Sequence, residues 1–447
     1  MLSWPLNATA SPDVFHTEKF LEAEPYAGIR ATCPQDLINK QLGLMDVVEL
    51  ALCNNPQTRS SWAASRAQAA QLGASLATFF PTLSGPIAVS HSRDTTGINS
   101  ESKGANLTLS YLLYDSGARM ASVENAKQVL LATNATLDAT LQTVYLNAVQ
   151  AYYTLLAARA SVQASHAAEE AAQRSLDAAN ARYQAGTATP LDRLQAQTAL
   201  SQAVLNRISA EGNAASAQGA LANIMGYAAT QPFELAPVED NGPDPVAEKD
   251  IGKLIEAAMQ SRPDLLAAEA QIKAAEANVT VIRANGLPSI SLNTSISRYN
   301  TITDGLSSTV FSTGLGVSVN LPWFSGFRDT YNNRLAQAQL DSSKAQRDFV
   351  ANQVALDVWK AYQTLLTNSQ ALNATDDLLS AAEAAEKMAS GRYKAGLGTI
   401  LDVLTAQSTL ASAQQQRVTA QYNFRASKFA LAQAIGQLDL SKVGTKN

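Results

Sequence analysis

The sequence predicts a mainly α-helical chain that also carries a few β-strands and is built from two copies of one plan. An Ala-Tyr-x-Thr-Leu-Leu motif begins at Ala151 and again at Ala361, and an Arg-Tyr-x-Ala-Gly motif begins at Arg182 and again at Arg392, each 210 positions further on. A repeat of this length indicates a duplicated supersecondary unit. The chain is also only 16% charged and 6% aromatic, which is typical of long helices packed through small side chains.

The charge and the N-terminus limit the classes of partner. The net charge is -5 and basic residues do not cluster, so we expect no nucleic-acid partner. No stretch approaches the roughly 18 consecutive apolar residues of a spanning helix. Residues 1–20 lack a basic start followed by an apolar run. Either a signal peptide has been removed or the protein stays in the cytoplasm.

The two cysteines, Cys33 and Cys53, favour an oxidising compartment, where an even number of cysteines forms disulfides. We predict a Cys33–Cys53 disulfide, which closes a loop of about 20 residues and adds roughly 3 kcal/mol of stability. Two inert buried thiols are the alternative. Cys33 follows Arg30-Ala31-Thr32, which is unlike a lipoprotein cleavage site, so we do not expect lipidation there.

The first copy of the plan starts with an extended arm and a helix. Four prolines and no sustained period indicate an extended arm over residues 1–41. A helical pattern follows from Leu44 to about Thr78 and ends before Pro81, because a residue before proline resists the α conformation. Alternation over residues 82–92 and 105–114 then predicts two strands, joined as a hairpin by a polar loop of about a dozen residues.

A very long helix follows this hairpin. Between Gly117 and Gly186 no proline or glycine interrupts the pattern, and apolar residues from Leu137 to Val162 step alternately by four and three, as in a coiled-coil seam. Nearly 70 helical residues span on the order of 100 Å. Gly186 is a C-terminal cap and Pro190 takes the favoured first position of the next helix. The rod therefore folds back on itself as a helical hairpin.

The second copy repeats these elements after a proline-rich linker. We predict an N-terminal arm at 1–41; a first repeat at 42–227, with strands at about 82–92 and 105–114 and a helical hairpin at about 118–226; a linker at 228–250; a second repeat at 251–440, with strands at about 289–299 and 309–322 and a helical hairpin at about 328–436; and a tail at 441–447.

The four strands each have one apolar face and one face of small polar residues. Leu315, Val317 and Val319, for example, alternate with Ser318 and Asn320. This pattern fits a half-buried soluble sheet or a barrel wall between lipid and water. Aromatic residues where strands meet helices favour lipid, since they resemble an interfacial belt, although such residues also serve plain packing. The belt residues are Phe79, Phe80, Tyr114, Trp323 and Phe324.

A membrane barrel would need more than one chain. Every backbone group in lipid must be paired, and the smallest single-chain barrels have about eight strands. Four strands per chain therefore require oligomerisation. Periodicity alone allows two copies with about eight strands or three with about twelve.

The order of elements, with Arg-Tyr-x-x-Gly before each helix turn and Leu-Asp after it (Leu191-Asp192 and Leu401-Asp402), resembles the TolC-type outer-membrane efflux and secretion channels. The resemblance covers about residues 42–440. It implies a homotrimer whose strands form one 12-stranded β-barrel in outer-membrane lipid of a Gram-negative bacterium, continued by an α-helical periplasmic tunnel. Such channels receive cargo from an inner-membrane pump and a periplasmic adaptor protein.

The cargo class is left open by this resemblance. We expect the exit duct of a type I protein secretion system, because the N-terminus does not look lipidated. Small-molecule or multidrug efflux is the alternative, and a soluble coiled-coil scaffold is the alternative of another class.

No chemistry is predicted. The three histidines, His16, His91 and His166, are far apart in the sequence and far from the cysteines, so no metal-ligand spacing can be drawn. Neither a nucleophile elbow nor a phosphate-binding glycine loop is present. We expect no catalytic, cofactor or metal site, and no enzymatic activity.

The candidate functional residues lie at the two helix turns. Asp192 and Asp402 come three residues after Thr189 and Thr399, the expected N-caps, and a carboxylate there satisfies helix amides and the helix dipole. The resemblance implies a further role, in which Asp402 lines the periplasmic aperture and Tyr393 belongs to the network that closes it.

The sequence departs from the family pattern at this aperture. Gly398 and Thr405 stand where a constriction arginine and a second aspartate occur in the best-known member. Arg392 and Arg182 are candidate substitutes, or they cap the ends of their helices.

Overall fold

The computed structural model describes residues 13–20, 40–95, 97–236 and 250–438. The chain divides into two compact units. The strand unit consists of Met1–Glu22, Ala63–Ala135 and Leu266–Val350, and the helical unit of Ala23–Trp62, Thr136–Leu265 and Ala351–Asn447. Each unit draws residues from both predicted repeats, and the division into repeats stays a prediction.

Eight α-helices lie in the described ranges: α1 Leu44–Asn54, α2 Pro56–Ala77, α3 Ala118–Gln184, α4 Pro190–Ile224, α5 Ile251–Ser261, α6 Pro263–Asn285, α7 Arg328–Lys394 and α8 Ile400–Ala434. The long helices α3 and α7 each have 67 residues, and their partners α4 and α8 each have 35. The two copies therefore fold alike. Among these helices, none combines the length and the apolarity that crossing a membrane requires.

The helix expected from Leu44 to Thr78 is broken in two. Asn55 separates α1 from α2 with an extended backbone, at ψ 129°, and Arg262 separates α5 from α6 in the same way, at ψ 123°. Both residues precede a proline, whose ring disfavours the α conformation of the residue before it. The continuous helix was therefore a wrong prediction.

The two broken joints pack in equivalent ways inside the helical unit. Asn55 Nδ2 donates to the carbonyl of Ile224 at 3.1 Å, while Arg262 Nη1 donates to the carbonyl of Ala434 at 3.3 Å. Each bond satisfies a carbonyl in the last turn of a returning helix, which has no partner of its own inside that helix. Arg262 also pairs with Asp264. In each copy, the residue at the helix break therefore binds the end of the returning helix: Asn55 binds the end of α4 and Arg262 binds the end of α8.

Seven strands are described: β1 Gln41–Leu42, β2 Thr82–Ser84, β3 Ile87–Arg93, β4 Asn99–Tyr114, β5 Glu234–Leu235, β6 Ser289–Thr303 and β7 Leu306–Asn320. β1 and β5 form a parallel pair in the helical unit. The other five form an antiparallel sheet in the strand unit, in the order β2, β4, β6, β7, with β3 also paired to β4.

Both hairpins are longer than the alternation predicted. β4 begins at Asn99 rather than near residue 105, because its polar start, including Ser100 and Ser102, pairs with both β3 and β6. The strand opposite it is interrupted between β2 and β3. In the second hairpin only Asp304 and Gly305 separate the strands, both with positive φ (47° and 81°), as a two-residue hairpin turn requires.

The main core lies in the helical unit, between α1, α3, α4 and α8. The predicted seam residues Leu137, Leu141, Val144 and Leu155 are buried there. Phe429 of α8 packs against Tyr145 and Tyr153 of α3, with ring centroids 6.3 Å apart in both cases. At about 25 cal/mol per Å² of apolar surface removed from water, contacts of this kind hold the second helical hairpin against the first.

Candidate functional site

The two helix turns in the helical unit have the same backbone. Gly186 and Gly396 both have positive φ, 73° and 75°, a conformation that glycine adopts without strain. Thr187 N donates to the carbonyl of Arg182, and Leu397 N to that of Arg392, both at 2.9 Å. Each long helix therefore ends in a Schellman-type cap, which reverses the chain over a few residues.

Each returning helix begins with a capping box. Thr189 N donates to Asp192 Oδ2 at 2.8 Å, and Asp192 N donates to Thr189 Oγ1 at 3.2 Å. Thr399 and Asp402 make the same two bonds at 2.9 Å and 3.2 Å. The capping role of both aspartates is thus part of the structure. The aperture role of Asp402 and Asp192 stays a prediction.

The Asp402 carboxylate is held in its charged form. The backbone amide of Thr399 is the largest cause of a pKa below the ordinary aspartate range, followed by the Thr399 hydroxyl and, more weakly, the charge of Arg392. These groups stabilise the anion because they donate hydrogen bonds to it or carry positive charge. A single chain therefore presents an ionised Asp402 at its second helix turn.

A polar contact between the two turns joins Arg182 to Tyr393. The Arg182 guanidinium lies 4.2 Å from the centroid of the Tyr393 ring. It also donates to the carbonyl of Tyr393 and to that of Lys394 at 3.2 Å. A cation over an aromatic face is attracted by the ring quadrupole, and a charged donor strengthens a bond to a helix-terminal carbonyl. We call this contact the Arg182–Tyr393 clasp.

Tyr393 is buried beneath this arginine. Its ring belongs to a small apolar cluster with Leu176 and Ala179 of α3, Ala196 of α4, and Ile400 and Val403 of α8. Its hydroxyl has no hydrogen-bond partner among the residues that the structure describes. The tyrosine therefore contributes through its ring and its backbone carbonyl. Its implied membership of a closing network stays a prediction, but the clasp shows which atoms are available for it.

The equivalent residues of the repeat behave differently. Arg392 turns back and donates to the carbonyl of Leu397 at 3.3 Å. Gly398 leaves room for this, since a Cβ at that position would stand 3.3 Å from Arg392 Cβ. Tyr183 is 40% exposed, with Arg193 of the next helix 5.3 Å from its ring centroid. The sequence singled out Tyr393, gave Arg392 and Arg182 together as candidate substitutes for the missing arginine, and assigned no role to Tyr183.

The five predicted interface aromatics lie in the strand unit. Phe79 packs under Arg119, whose guanidinium is 4.8 Å from the ring centroid, and Phe80 lies 5.4 Å from Phe15. Tyr114 ends β4 and is exposed. Trp323 and Phe324 follow β7, and Trp323 is 88% exposed. These positions suit an interfacial belt, which stays a prediction.

The remaining predictions concern the cysteines and metals. Cys53 lies next to the end of α1, whereas Cys33 falls outside the described residues, so the disulfide stays a prediction. Within the part of the chain that the structure describes, there is no group of three or more His, Cys, Asp or Glu side chains placed to hold a metal ion.

Comparison with known proteins identifies the family. Residues 47–227 and 254–437 match the family model described as outer membrane efflux protein. Protein CyaE of Bordetella pertussis is 30% identical over 442 residues, which cover 97% of this chain and 91% of that protein. Outer membrane protein TolC of Escherichia coli is 25% identical over 409 residues, covering 89% and 82%. A crystal structure of CusC matches with a TM-score of 0.77 at 21% identity, over 89% of this chain and 92% of that one. The chain therefore belongs to the outer membrane efflux protein family, whose members are channels of the Gram-negative outer membrane and not enzymes.

Proposed function

We propose that three copies of this chain form one outer-membrane channel with a periplasmic tunnel, which serves as the exit duct of a tripartite export system. The observation that carries the proposal is the plan of the sheet, which within the described residues has β2 and β3 along one edge and β7 along the other. Open strand edges are not tolerated in lipid. Pairing β7 of one copy with the edge that β2 and β3 form in the next removes every edge when the ring closes.

The two faces of the sheet support a wall between lipid and water. Ser318 exchanges a hydrogen bond with Ser291 at 2.8 Å, and Ser110 donates to Asn293 at 2.9 Å. These residues share one face of β4, β6 and β7, because Ser110 pairs with Asn293 and Ser291 with Ser318. Val317, on the opposite face, is 63% exposed. Self-satisfied hydroxyls suit a water-filled interior, and bare aliphatic side chains suit lipid.

Native mass spectrometry of the detergent-solubilised protein measures the number of copies. The mass should equal that of three chains, which corresponds to a barrel of twelve strands, whereas a mass equal to two chains would correspond to eight strands. In planar bilayers the protein should conduct ions. Recovery of the native protein as a soluble particle without detergent would contradict the proposal. Membership of an outer-membrane family already contradicts the alternative of a soluble scaffold.

Within export, we propose type I protein secretion, together with an inner-membrane pump and a periplasmic adaptor protein. The support is chemical: Cys33 follows Arg30-Ala31-Thr32, which is unlike a lipidation site, and a disulfide with Cys53 would occupy its thiol. A deletion strain should lose specific polypeptides from its culture medium, and the chain supplied in trans should restore them.

Small-molecule efflux is the second candidate, because the matching family model is described as an efflux protein. The same deletion strain distinguishes the two. Unchanged secreted polypeptides together with raised susceptibility to small toxic compounds would contradict type I secretion and support efflux. A strain supplied with the Val317→Arg variant is the matched control, since this substitution should block assembly without touching the tunnel.

A further inference from the structure

The Arg182–Tyr393 clasp runs in one direction only. Arg182 of the first helical hairpin reaches Tyr393 of the second. The repeat places Arg392 and Tyr183 at the equivalent positions, yet Arg392 bonds to Leu397 of its own turn and Tyr183 stays 40% exposed. The first hairpin therefore presents an arginine to the second, and receives none from it.

A contact that runs in one direction between the two equivalent helical hairpins restricts how copies of the chain can assemble. A two-fold relation would pair the same surfaces in both directions, whereas a head-to-tail relation leaves one half of the contact open at each end. Such a relation closes only as a ring. In this chain the unmatched halves are Arg392 at one end, which bonds within its own turn, and Tyr183 at the other, which has Arg193 of its own chain near its ring, so the complement of each is a second copy of the same chain.

The long helices lead to the same conclusion independently. The inner face is buried in both copies, as shown by Val144 in α3 and its equivalent Val354 in α7. On the neighbouring face, Val149 of α3 is 0% exposed and shares a buried cluster with Phe429 of α8. Its equivalent in α7, Trp359, is 49% exposed. The face of α7 thus lacks the cover that α8 gives to α3.

A surface that could cover this face of α7 lies on α4. By the repeat, the equivalent of α8 is α4, and Gly212 and Gly219 of α4 stand where Tyr422 and Phe429 stand in α8. A Cβ at Gly212 would meet no atom within 4 Å, whereas one at Gly219 would lie 3.4 Å from Ala229, so the open position is Gly212. In the pair α3 and α8, the smaller Val149 lies on α3 and large aromatic residues lie on α8. At the equivalent positions, the large Trp359 lies on α7 and glycine lies on α4. This exchange of volume fits α7 of one copy against α4 of the next.

Resting on the proposed trimer, we infer that Arg392 of one copy lies over the ring of Tyr183 of the neighbouring copy and repeats the Arg182–Tyr393 clasp between chains. Val403 packs beside Tyr393, whereas its equivalent Arg193 lies 5.3 Å from the centroid of the Tyr183 ring, so Arg392 of the neighbouring copy would take the part of that ring that Arg193 leaves free. The tips of a trimer would carry three clasps within chains and three between them. The clasps between chains form only on assembly.

A photo-crosslinking pair tests this inference. In the full-length protein, p-benzoylphenylalanine replaces Tyr183 in one variant and Tyr393 in the other, and each purified channel is illuminated in detergent. The Tyr183 probe should yield species of two and three chain masses on a denaturing gel, with crosslinked peptides that map to the segment around Arg392. The Tyr393 probe should stay at one chain mass and map to the segment around Arg182.

The outcomes separate this inference from the proposed function. If native mass spectrometry shows a trimer but the Tyr183 probe links only within its own chain, or to segments remote from Arg392, the inference is wrong and the channel proposal stands. If the unmodified protein is not a trimer, both are wrong. Arg392→Ala should lower the yield of interchain product from the Tyr183 probe by at least about half, because the arginine holds the two tips together, and an unchanged yield would contradict the clasp.

Discussion

The guanidinium of Arg182 lies 4.2 Å from the centroid of the Tyr393 ring, although 211 positions separate the two residues in the sequence. The arginine donates to the helix-terminal carbonyl of Lys394 at 3.2 Å, while the tyrosine hydroxyl has no partner in the described chain. The contact that joins the two helix turns therefore depends on a charge, an aromatic face and backbone carbonyls. It does not depend on the phenol.

Removal of Arg182 should open the channel at rest. Arg182→Ala abolishes charge-assisted hydrogen bonds worth about 1.5 to 3 kcal/mol, so we expect at least a tenfold rise in open probability in planar bilayers. Tyr393→Ala should act in the same direction. Tyr393→Phe is the matched control and should leave resting conductance unchanged, because it removes only an unpartnered hydroxyl. A large opening by Tyr393→Phe would show that the phenol takes part in closure.

Asp402 should determine ion selectivity at the entrance. Three copies would bring three such carboxylates towards one axis, where converging negative charges attract cations. Asp402→Asn keeps an acceptor for the Thr399 amide and removes the charge, so cation selectivity and block by multivalent cations should both weaken. Asp348→Asn, on an exposed position of α7, is the control. If selectivity and block are unchanged in Asp402→Asn, this carboxylate only caps its helix.

The same carboxylate predicts a pH dependence of the helix turn. In the folded chain the pKa of Asp402 lies below the ordinary aspartate range, so its stabilising effect is complete at neutral pH and is lost as the pH falls below about 4. The protection of the amides in the first turn of α8, measured relative to their intrinsic exchange rates at each pH, should fall on acidification in the wild type. In the Asp402→Asn variant this protection should stay constant over that range, and a parallel fall there would assign the effect to another group.

Much of the fold follows from the sequence, because its signals are local. The spacing of apolar residues predicts α3 and its buried seam, and Thr399 followed by Asp402 predicts a capping box. The break at Pro56 was equally local and was missed. The clasp could not be predicted, because the repeat assigns equal roles to Arg182 and Arg392. Only the packing of one helical hairpin on the other gives them different partners.

The strand ends show the same limit. Residues 99–104 are polar and show no alternation, so they gave no strand signal. They pair because β3 and β6 lie on either side of them. Conversely, the two-residue turn at Asp304-Gly305 has a local signal that favours a hairpin, and the strands do extend to it on both sides.

The two faces of β7 should tolerate charge very differently. Val317→Arg places a cation on the proposed lipid face and should cost about 2 to 4 kcal/mol if the site lies near the bilayer midplane. Ser318→Arg places the same side chain on the face where Ser318 meets Ser291, and should be far milder. The yield of folded trimer after refolding into lipid vesicles measures both. Equal tolerance would mean that β7 is not a wall between lipid and water.

Gly104 of β4 should be the least replaceable glycine of the sheet. It pairs with Tyr299 of β6, and a Cβ at Gly104 would overlap the Tyr299 ring, whereas a Cβ at Gly316 of β7 would meet no atom within 4 Å. Gly104→Ala should displace the Tyr299 ring and lower the stability of the folded protein by about 1 to 3 kcal/mol. Gly316→Ala should leave the stability nearly unchanged.

The effect of each substitution on stability is measured as the change in the temperature at which the trimer dissociates in a denaturing gel. A double-mutant cycle isolates the contact, because Gly104→Ala should cost much less in a Tyr299→Ala background, where no ring covers the glycine. If the penalty of Gly104→Ala is the same with and without the ring, backbone conformation and not the Tyr299 contact explains the glycine.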